Sequence, residues 1–452
     1  MKTIVTEIAE NFINRIVSLM TEGEKSFAEI EETAFHEAKS CAAKLMGTYA
    51  ESVDAEIAAD KAGRREMGCS VHRKGDERRL QTLVGEVSYR RTYYKKAAGG
   101  YEYLTDTVLG IEQHDRVSGG LSLALATAAK DMSYAKSSRY VSGGEISRQT
   151  VMGRVRRSRA ADSISVEMRR VPELHIDADE AHVTLCNGKK SEVPLISVYE
   201  GIECHGKRHY CKNVMHISEY GKTPDELWEQ ALTEIERRYD LSDTKIYLHG
   251  DGANWIQTGF EWIPGAVFVL DKYHKNKAIK MMTAGLLKED GKLYDREIRW
   301  ALNHEDLRFF DELTVSICCE MPEREEKILS AAGYLKRFVK GISVCKSDLE
   351  ANNGGCTEPH VSHVLSARLS GRPMAWSRTT LKRLAPILAS GQVVLCDKDE
   401  NSPLPKPLRK ALLALAAAFR RSAAGLPHPD SIGRLPINGQ VNGTQKILKL
   451  FV

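Results

Sequence analysis

Between Val171 and Asp271 the chain carries five strand-like runs and one amphipathic helix, and no other stretch limits the possible folds as much. HIDADEAHVTL, PLISVYEGI and KNVMHIS come first, separated by turns; PDELWEQALTEIERRY places its apolar residues at helical spacing; KIYLHGD and AVFVLD follow. Short runs rich in β-branched residues and bounded by turn signals read as strands. Strands joined by tight turns pair antiparallel, whereas strands separated by a helix favour parallel pairing. The order therefore predicts an α/β fold, a mixed sheet with helices on its faces.

The rest of the chain divides around this core. Residues 1–60 place Ile4, Ile8, Phe12, Ile13, Ile16 and Met20 at helical spacing, which predicts a helical N-terminal region. Residues 61–165 contain a basic hairpin in RRLQTLVGEVSYRRTYYKKAAGGYEY, then two helices, KDMSYAKSSRYV and ISRQTVMGRVRRSR, across the turn SGGE. This pair has the pattern of a helix-turn-helix whose second helix, with Ser147 as N-cap, presents Arg148, Gln149, Arg154, Arg156, Arg157 and Arg159. The same pattern also suits an ordinary helical hairpin with a solvated basic face. Residues 166–274 hold the first part of the α/β domain, 275–354 a charged helical insertion, 355–400 its second part, and 401–452 a further helix and a mixed tail.

At 452 residues two or more domains are expected. The net charge of +4 neither demands nor excludes a nucleic-acid partner. Ten scattered cysteines without the dense spacing of a secreted scaffold read as reduced thiols, and the N-terminus MKTIVTEIAENFINRIV lacks a signal-peptide pattern, so a cytoplasmic location is expected. The longest apolar run, ALLALAAAF, is about half of what a bilayer needs, so no membrane partner is expected.

The chemistry rests on acids. Asp177 and Asp179 lie two apart in a strand, on one face of the sheet, and repel each other unless a cation or a base intervenes. Asp251 follows KIYLHG between Gly250 and Gly252, at a strand end, where open α/β sheets place their ligands. Carboxylates from separate elements suit Mg²⁺, which keeps water and phosphate oxygens in its shell. Two such ions roughly 3.5–4 Å apart stabilise both oxygens of a phosphoryl displacement. The third carboxylate is Glu358, at the start of a helix in CTEPHVSHVLSARLS. Pro359 disfavours helical geometry at Glu358 itself.

DEAHV at 179–183, HGDGANW at 249–255, DKYHKN at 271–276 and EPHVSHVLSARLSGRPMAWS at 358–377 together resemble bacterial insertion-sequence transposases, more narrowly the ISLre-type family of the Mutator-like superfamily. The resemblance covers most of residues 60–380. It implies a ribonuclease H-like catalytic domain and a DDE triad of Asp179, Asp251 and Glu358, with Asp177 as the fallback for the first position. The family's Cys/Asp-x-x-His signature falls on Asp271 and His274, with Asn276 beside it. Implied too are two Mg²⁺ or Mn²⁺ ions, double-stranded DNA as partner, and a homo-oligomer on that DNA. The implied reaction is metal-dependent attack of water on a phosphodiester at the element's terminus. The released 3′-hydroxyl then attacks target DNA. Arg368 and Arg372, beyond Glu358, are expected to hold the DNA backbone.

Two other readings stand beside this one. Cys204, His205, His209 and Cys211 are residue types that bind zinc, although a basic hairpin tip accounts for them as well. A repurposed, non-catalytic transposase that regulates through DNA binding needs the helix pair but not the acids.

Overall fold

Each strand expected between 171 and 271 has its counterpart in the computed structural model, which describes residues 2–21, 25–161, 167–206, 208–396 and 404–423. The mixed tail expected after the last helix lies outside the described residues. Contacts divide the chain into two units, one of residues 1–125, 138–147 and 397–452, the other of 126–137 and 148–396.

In the first unit the helices Lys2–Thr21 and Phe27–Ala59 precede a three-stranded antiparallel sheet, β1 (Cys69–Thr82), β2 (Gly85–Lys96) and β3 (Tyr101–Glu102). The Phe27–Ala59 helix starts where it does because Ser26 and Glu29 form a capping box, each side chain bonding the other's backbone N–H. Asp54 ties this helix to the hairpin by accepting from the Thr92 N–H, the Thr92 hydroxyl and the Thr105 hydroxyl at 2.6–2.7 Å. Val53, Ile57, Tyr94 and Leu104 form the core, joined by Leu408 and Leu415 of the helix Lys406–Ala423.

The second unit is built on a five-stranded mixed sheet. Beside a short pair, β4 (Ser158–Ala160) with β12 (Val393–Leu395), and a hairpin, β7 (Ile202–His205) with β8 (Arg208–Cys211), it contains β5 (Glu173–Thr184), β6 (Lys190–Tyr199), β9 (Met215–Ile217), β10 (Lys245–Gly250) and β11 (Val267–Leu270). The strand order is β11-β10-β5-β6-β9; β5 pairs antiparallel with β6 and parallel with β10, and β10 parallel with β11. Alternation along β5 sends Leu174, Ile176 and Ala178 to one face, where they pack on Trp228, Ala231 and Ile235 of the helix Pro224–Glu236. His175, Asp177 and Asp179 therefore share the opposite face.

After β11 the expected helical insertion is present as the helices Lys272–Thr283, Lys288–Asn303, Leu307–Glu320, Glu325–Arg337 and Val339–Ser347 around a core of Ile279, Ile298, Leu302, Phe310, Ile317 and Leu335. The two helices expected on either side of SGGE are Tyr134–Ser142 and Arg148–Arg156. Their turn uses Gly143 and Gly144 at positive φ, and the division between the two units falls within the first of them, after Ser137. Among the described residues no helix is long and apolar enough to cross a membrane.

Candidate functional site

Strand register lines up three aspartates. Lys245 lies opposite Glu173 and His249 opposite Asp177. Carried two residues further, this constant offset sets Asp251 level with Asp179 (245 − 173 = 251 − 179 = 72). On its other side β10 pairs Gly250 with Leu270, so the next residue, Asp271, is level with Asp251, and its N–H donates to the Gly250 carbonyl at 2.9 Å. Asp271, Asp251 and Asp179 thus form a row across three neighbouring parallel strands, two of them at strand ends.

The row is electrostatically tense. Burial, helped by repulsion from Glu180 and Asp251, pushes the Asp179 carboxyl up to about 7, although the Glu180 N–H and the charge of His274 oppose it. Asp271 goes the other way. It is buried, which alone would raise it, but hydrogen bonds from His274 and Thr357 hold it below the usual carboxylate range. It also caps the Lys272–Thr283 helix by accepting the His274 N–H at 3.1 Å. His274 is held above its ordinary value, first by its hydrogen bond to Asp271 and, against desolvation, by the charges of Asp271, Asp179 and Asp251. From the insertion, the Tyr334 hydroxyl donates to the Asp251 carbonyl at 2.9 Å. Asp251 turns the chain by accepting the Ala253 N–H at 2.8 Å. Gly252 is required in that turn: its φ is +83°, and a Cβ there would meet the Phe338 ring at 2.1 Å.

Asp177, the fallback position, has a different task. It is 2% exposed and accepts from the Tyr199 hydroxyl at 2.9 and 3.0 Å and from the Cys356 N–H at 2.8 Å, with His360 Nδ1 at 3.2 Å. Tyr199 in turn accepts the Gly355 N–H, Lys272 bonds the carbonyls of Asn352 and Gly354, and the Thr357 hydroxyl bonds Asp271. Gly354 lies so close to the stacked rings of His175 and His249 that a Cβ would meet them at 2.4–2.5 Å. These bonds fasten residues 352–357 to the sheet. Glu358 follows immediately, in the helix Thr357–Val361, but its side chain is exposed. Helical geometry at Glu358 is tolerated because Pro359 falls in the first turn, where backbone N–H groups have no intrahelical partner. The helix continues through a π turn at Ser362–Ser366.

The structure thus brings together Asp179, Asp251, Asp271 and His274 and leaves Glu358 one residue beyond Thr357, turned to solvent. Among the described residues, no three His, Cys, Asp or Glu side chains are gathered to hold a metal ion. The Asp179–Asp251 pair nonetheless suits a hard cation: two carboxylates level across adjacent strands, one of them buried against its own charge, gain most from a positive ion that takes its remaining ligands from water and phosphate.

Other expected residues lie elsewhere. Asn276 accepts from Arg299 of the insertion at 2.8 Å. Arg148, Gln149 and Arg372 are exposed. Two arginines depart from expectation. Arg156 donates to the hydroxyls of Thr380 and Ser377 at 3.0 and 2.9 Å, so it supports the start of the helix Arg378–Ser390. Arg368 is 7% exposed, donates to the Ala129 carbonyl at 2.9 Å and lies over the rings of Trp376 and Tyr134. Apolar and aromatic residues around it turn this helical arginine inward, away from any DNA backbone. Of the cysteine–histidine cluster, Cys204 Sγ lies 3.1 Å from His209 Nδ1, whereas Cys211 turns toward His360 and Cys356. Tyr199, Cys356 and His360 were not singled out from sequence; the signal was present in CTEPH, beside Glu358.

The charge on Asp179 has a measurable cost. Its carboxyl in the folded chain titrates at about 7, against 3.8 ordinarily, so between those values the folded state binds the extra proton and stability falls as pH rises. Asp179→Asn is expected to raise the thermal midpoint at pH 8 by roughly a few degrees and to leave it unchanged near pH 4, measured in chelator. A midpoint lowered at both pH values would show that the ionised carboxylate is not the source of strain.

Comparison with known proteins agrees over most of the chain. Residues 19–393 match the family described as "Uncharacterised protein family (UPF0236)". A UPF0236 protein of Caldanaerobacter subterraneus subsp. tengcongensis is 38% identical over 346 residues, 75% of this chain and 72% of that one. Another from the same organism, also 38% identical over 346 residues, carries eleven locus designations in its name. A UPF0236 protein of Streptococcus gallolyticus, named for its place in the vanSb 3′ region, is 25% identical over 410 residues, 86% of each chain. The chain belongs to the UPF0236 family.

Proposed function

We propose that this chain is a DNA transposase, of the ISLre-type within the Mutator-like superfamily, that binds the terminal repeats of an insertion sequence and cleaves and joins DNA with divalent metal. The observation that carries this reading is the register-matched pair Asp179 and Asp251, with His274 and Asp271 beside it. The strand order, three antiparallel strands followed by two parallel ones added on the far side of the first, supports a ribonuclease H-like assignment of the sheet. A further support is the relative that carries eleven locus designations in one genome, as expected of a sequence that copies itself.

In this reading Asp179 and Asp251 hold Mg²⁺ or Mn²⁺, which when bound stabilises the attacking and leaving oxygens of the phosphodiester. His274, kept protonated by Asp271, offers a positive charge next to the aspartates and a contact for a DNA phosphate. Glu358 completes the triad when DNA and metal draw its exposed side chain inward. Arg148, Gln149, Arg154, Arg157 and Arg372 contact DNA, most of them through phosphates, so affinity falls steeply with salt. A homo-oligomer brings two element ends together.

The test uses duplexes from the inverted repeats that flank the coding region, incubated with the full-length protein and Mg²⁺ or Mn²⁺. Strand nicks at the repeat boundary that vanish with chelator are expected. Tight repeat binding without nicking under either metal would overturn catalysis in favour of a repurposed DNA-binding regulator.

A further inference from the structure

Cys211 and Cys356 are 145 residues apart in sequence (356 − 211 = 145), yet their sulfurs are hydrogen-bonded to each other. Both sit on fixed backbone. Cys211 ends β8 opposite Ile202, and the next residue, Lys212, donates to the Gly201 carbonyl at 3.0 Å while accepting from the Glu200 N–H at 2.9 Å. Cys356 is pinned by its N–H to Asp177. His360 Nε2 lies 3.5 Å from Cys211 Sγ. Neither cysteine is fully buried, so a small oxidant can reach the pair. The other eight cysteines have no such cross-chain thiol partner among the described contacts.

We propose that Cys211 and Cys356 are a reversible oxidation site, closing to an intrachain disulfide that fastens the β7–β8 hairpin to the segment carrying Glu358. Backbone anchors hold the two sulfurs in contact, so bond formation needs only side-chain rotation. The oxidant is a peroxide. One sulfur attacks hydrogen peroxide, the O–O bond breaks, and a sulfenic acid and one water form. The second sulfur then displaces the hydroxyl oxygen, so the S–O bond breaks, the S–S bond forms and a second water leaves with the remaining proton. Two thiols and one peroxide thus give one disulfide and two waters. Disulfides in a reducing compartment are transient, so a thiol reductant reopens this one.

Resting on the transposase reading, the bond holds the Glu358 segment where the structure has it, with the carboxylate turned to solvent, and the oxidised chain loses nicking. The experiment is independent of DNA. Reduced full-length protein is exposed to hydrogen peroxide, its remaining thiols are alkylated, and the digest is examined by mass spectrometry. A peptide pair joined through Cys211 and Cys356, absent after dithiothreitol, is expected as the main cross-link, and Cys211→Ser removes it. Amide hydrogen exchange across residues 352–361 should slow about tenfold on oxidation and recover on reduction. The proposal fails if peroxide oxidises other cysteines while this pair stays reduced, or if the cross-link forms without changing exchange in that segment. Stoichiometric zinc in the purified protein, shielding both thiols, would also overturn it. If the link forms and exchange slows but no form of the protein nicks DNA, the transposase reading fails and the oxidation site stands.

Discussion

Asp251→Ala is expected to lower Mg²⁺-dependent nicking of element-end DNA by on the order of a thousandfold or more, while binding of the same duplex is unchanged. The reason is positional. Asp251 follows the last residue of β10 and stands level with Asp179 by register, so its loss leaves a cation one protein carboxylate in place of a pair. The fold should survive, because the side chain's own hydrogen bond is a local turn contact to Ala253 and the neighbouring Tyr334 bond uses the backbone carbonyl. Asp251→Asn keeps the turn contact and should be nearly as inactive. Gel-shift binding and single-turnover nicking on one preparation separate the two effects. Cleavage surviving in either variant would remove Asp251 from the catalytic site.

The second large effect is on stability. Asp177→Ala should destabilise the fold by about 3–5 kcal/mol, because it leaves the Tyr199 hydroxyl and the Cys356 N–H without acceptors in a buried place. Each unmet buried donor costs about 1–3 kcal/mol, and the lost negative charge beside His360 adds to it. Chemical denaturation measures the loss. Asp179→Asn, two residues away on the same face, is expected to cost nothing or to stabilise at neutral pH. Opposite signs for the two substitutions would mark Asp177 as the buried tether and Asp179 as the carboxylate facing the site. A similar large loss for both would show that Asp179 is also a structural acceptor.

Several features of the site were legible in the chain itself. The alternation in HIDADEAHVTL put Asp177 and Asp179 on one face, and the turns and helix between the strand runs implied the mixed sheet now seen as β11-β10-β5-β6-β9. The separation of Asp179 and Asp251 in sequence equals the strand offset, yet nothing in the sequence announces that offset, because register depends on which side chains fill the space between helix and sheet. Arginines were the least legible. Arg148 and Arg368 look alike in a helical pattern, but only Arg368 meets Ala129, Tyr134 and Trp376, residues nine to 239 positions away in the chain (376 − 368 = 8 for the nearest ring partner; 368 − 129 = 239 for the carbonyl).

By itself the sequence determined the local elements, the face on which each acid stands and the motif that carries Glu358, since these follow from side-chain periodicity, capping and turn chemistry along neighbouring residues. Tertiary structure alone decided which acid is saturated and which is strained. Asp177 receives its donors from Tyr199, Cys356 and His360, contacts that only packing creates, whereas Asp179 is left against Asp251 and Glu180 with little to offset its charge. Hydrogen-bond satisfaction and burial depend on what arrives from distant parts of the chain, and a periodic pattern carries no record of that.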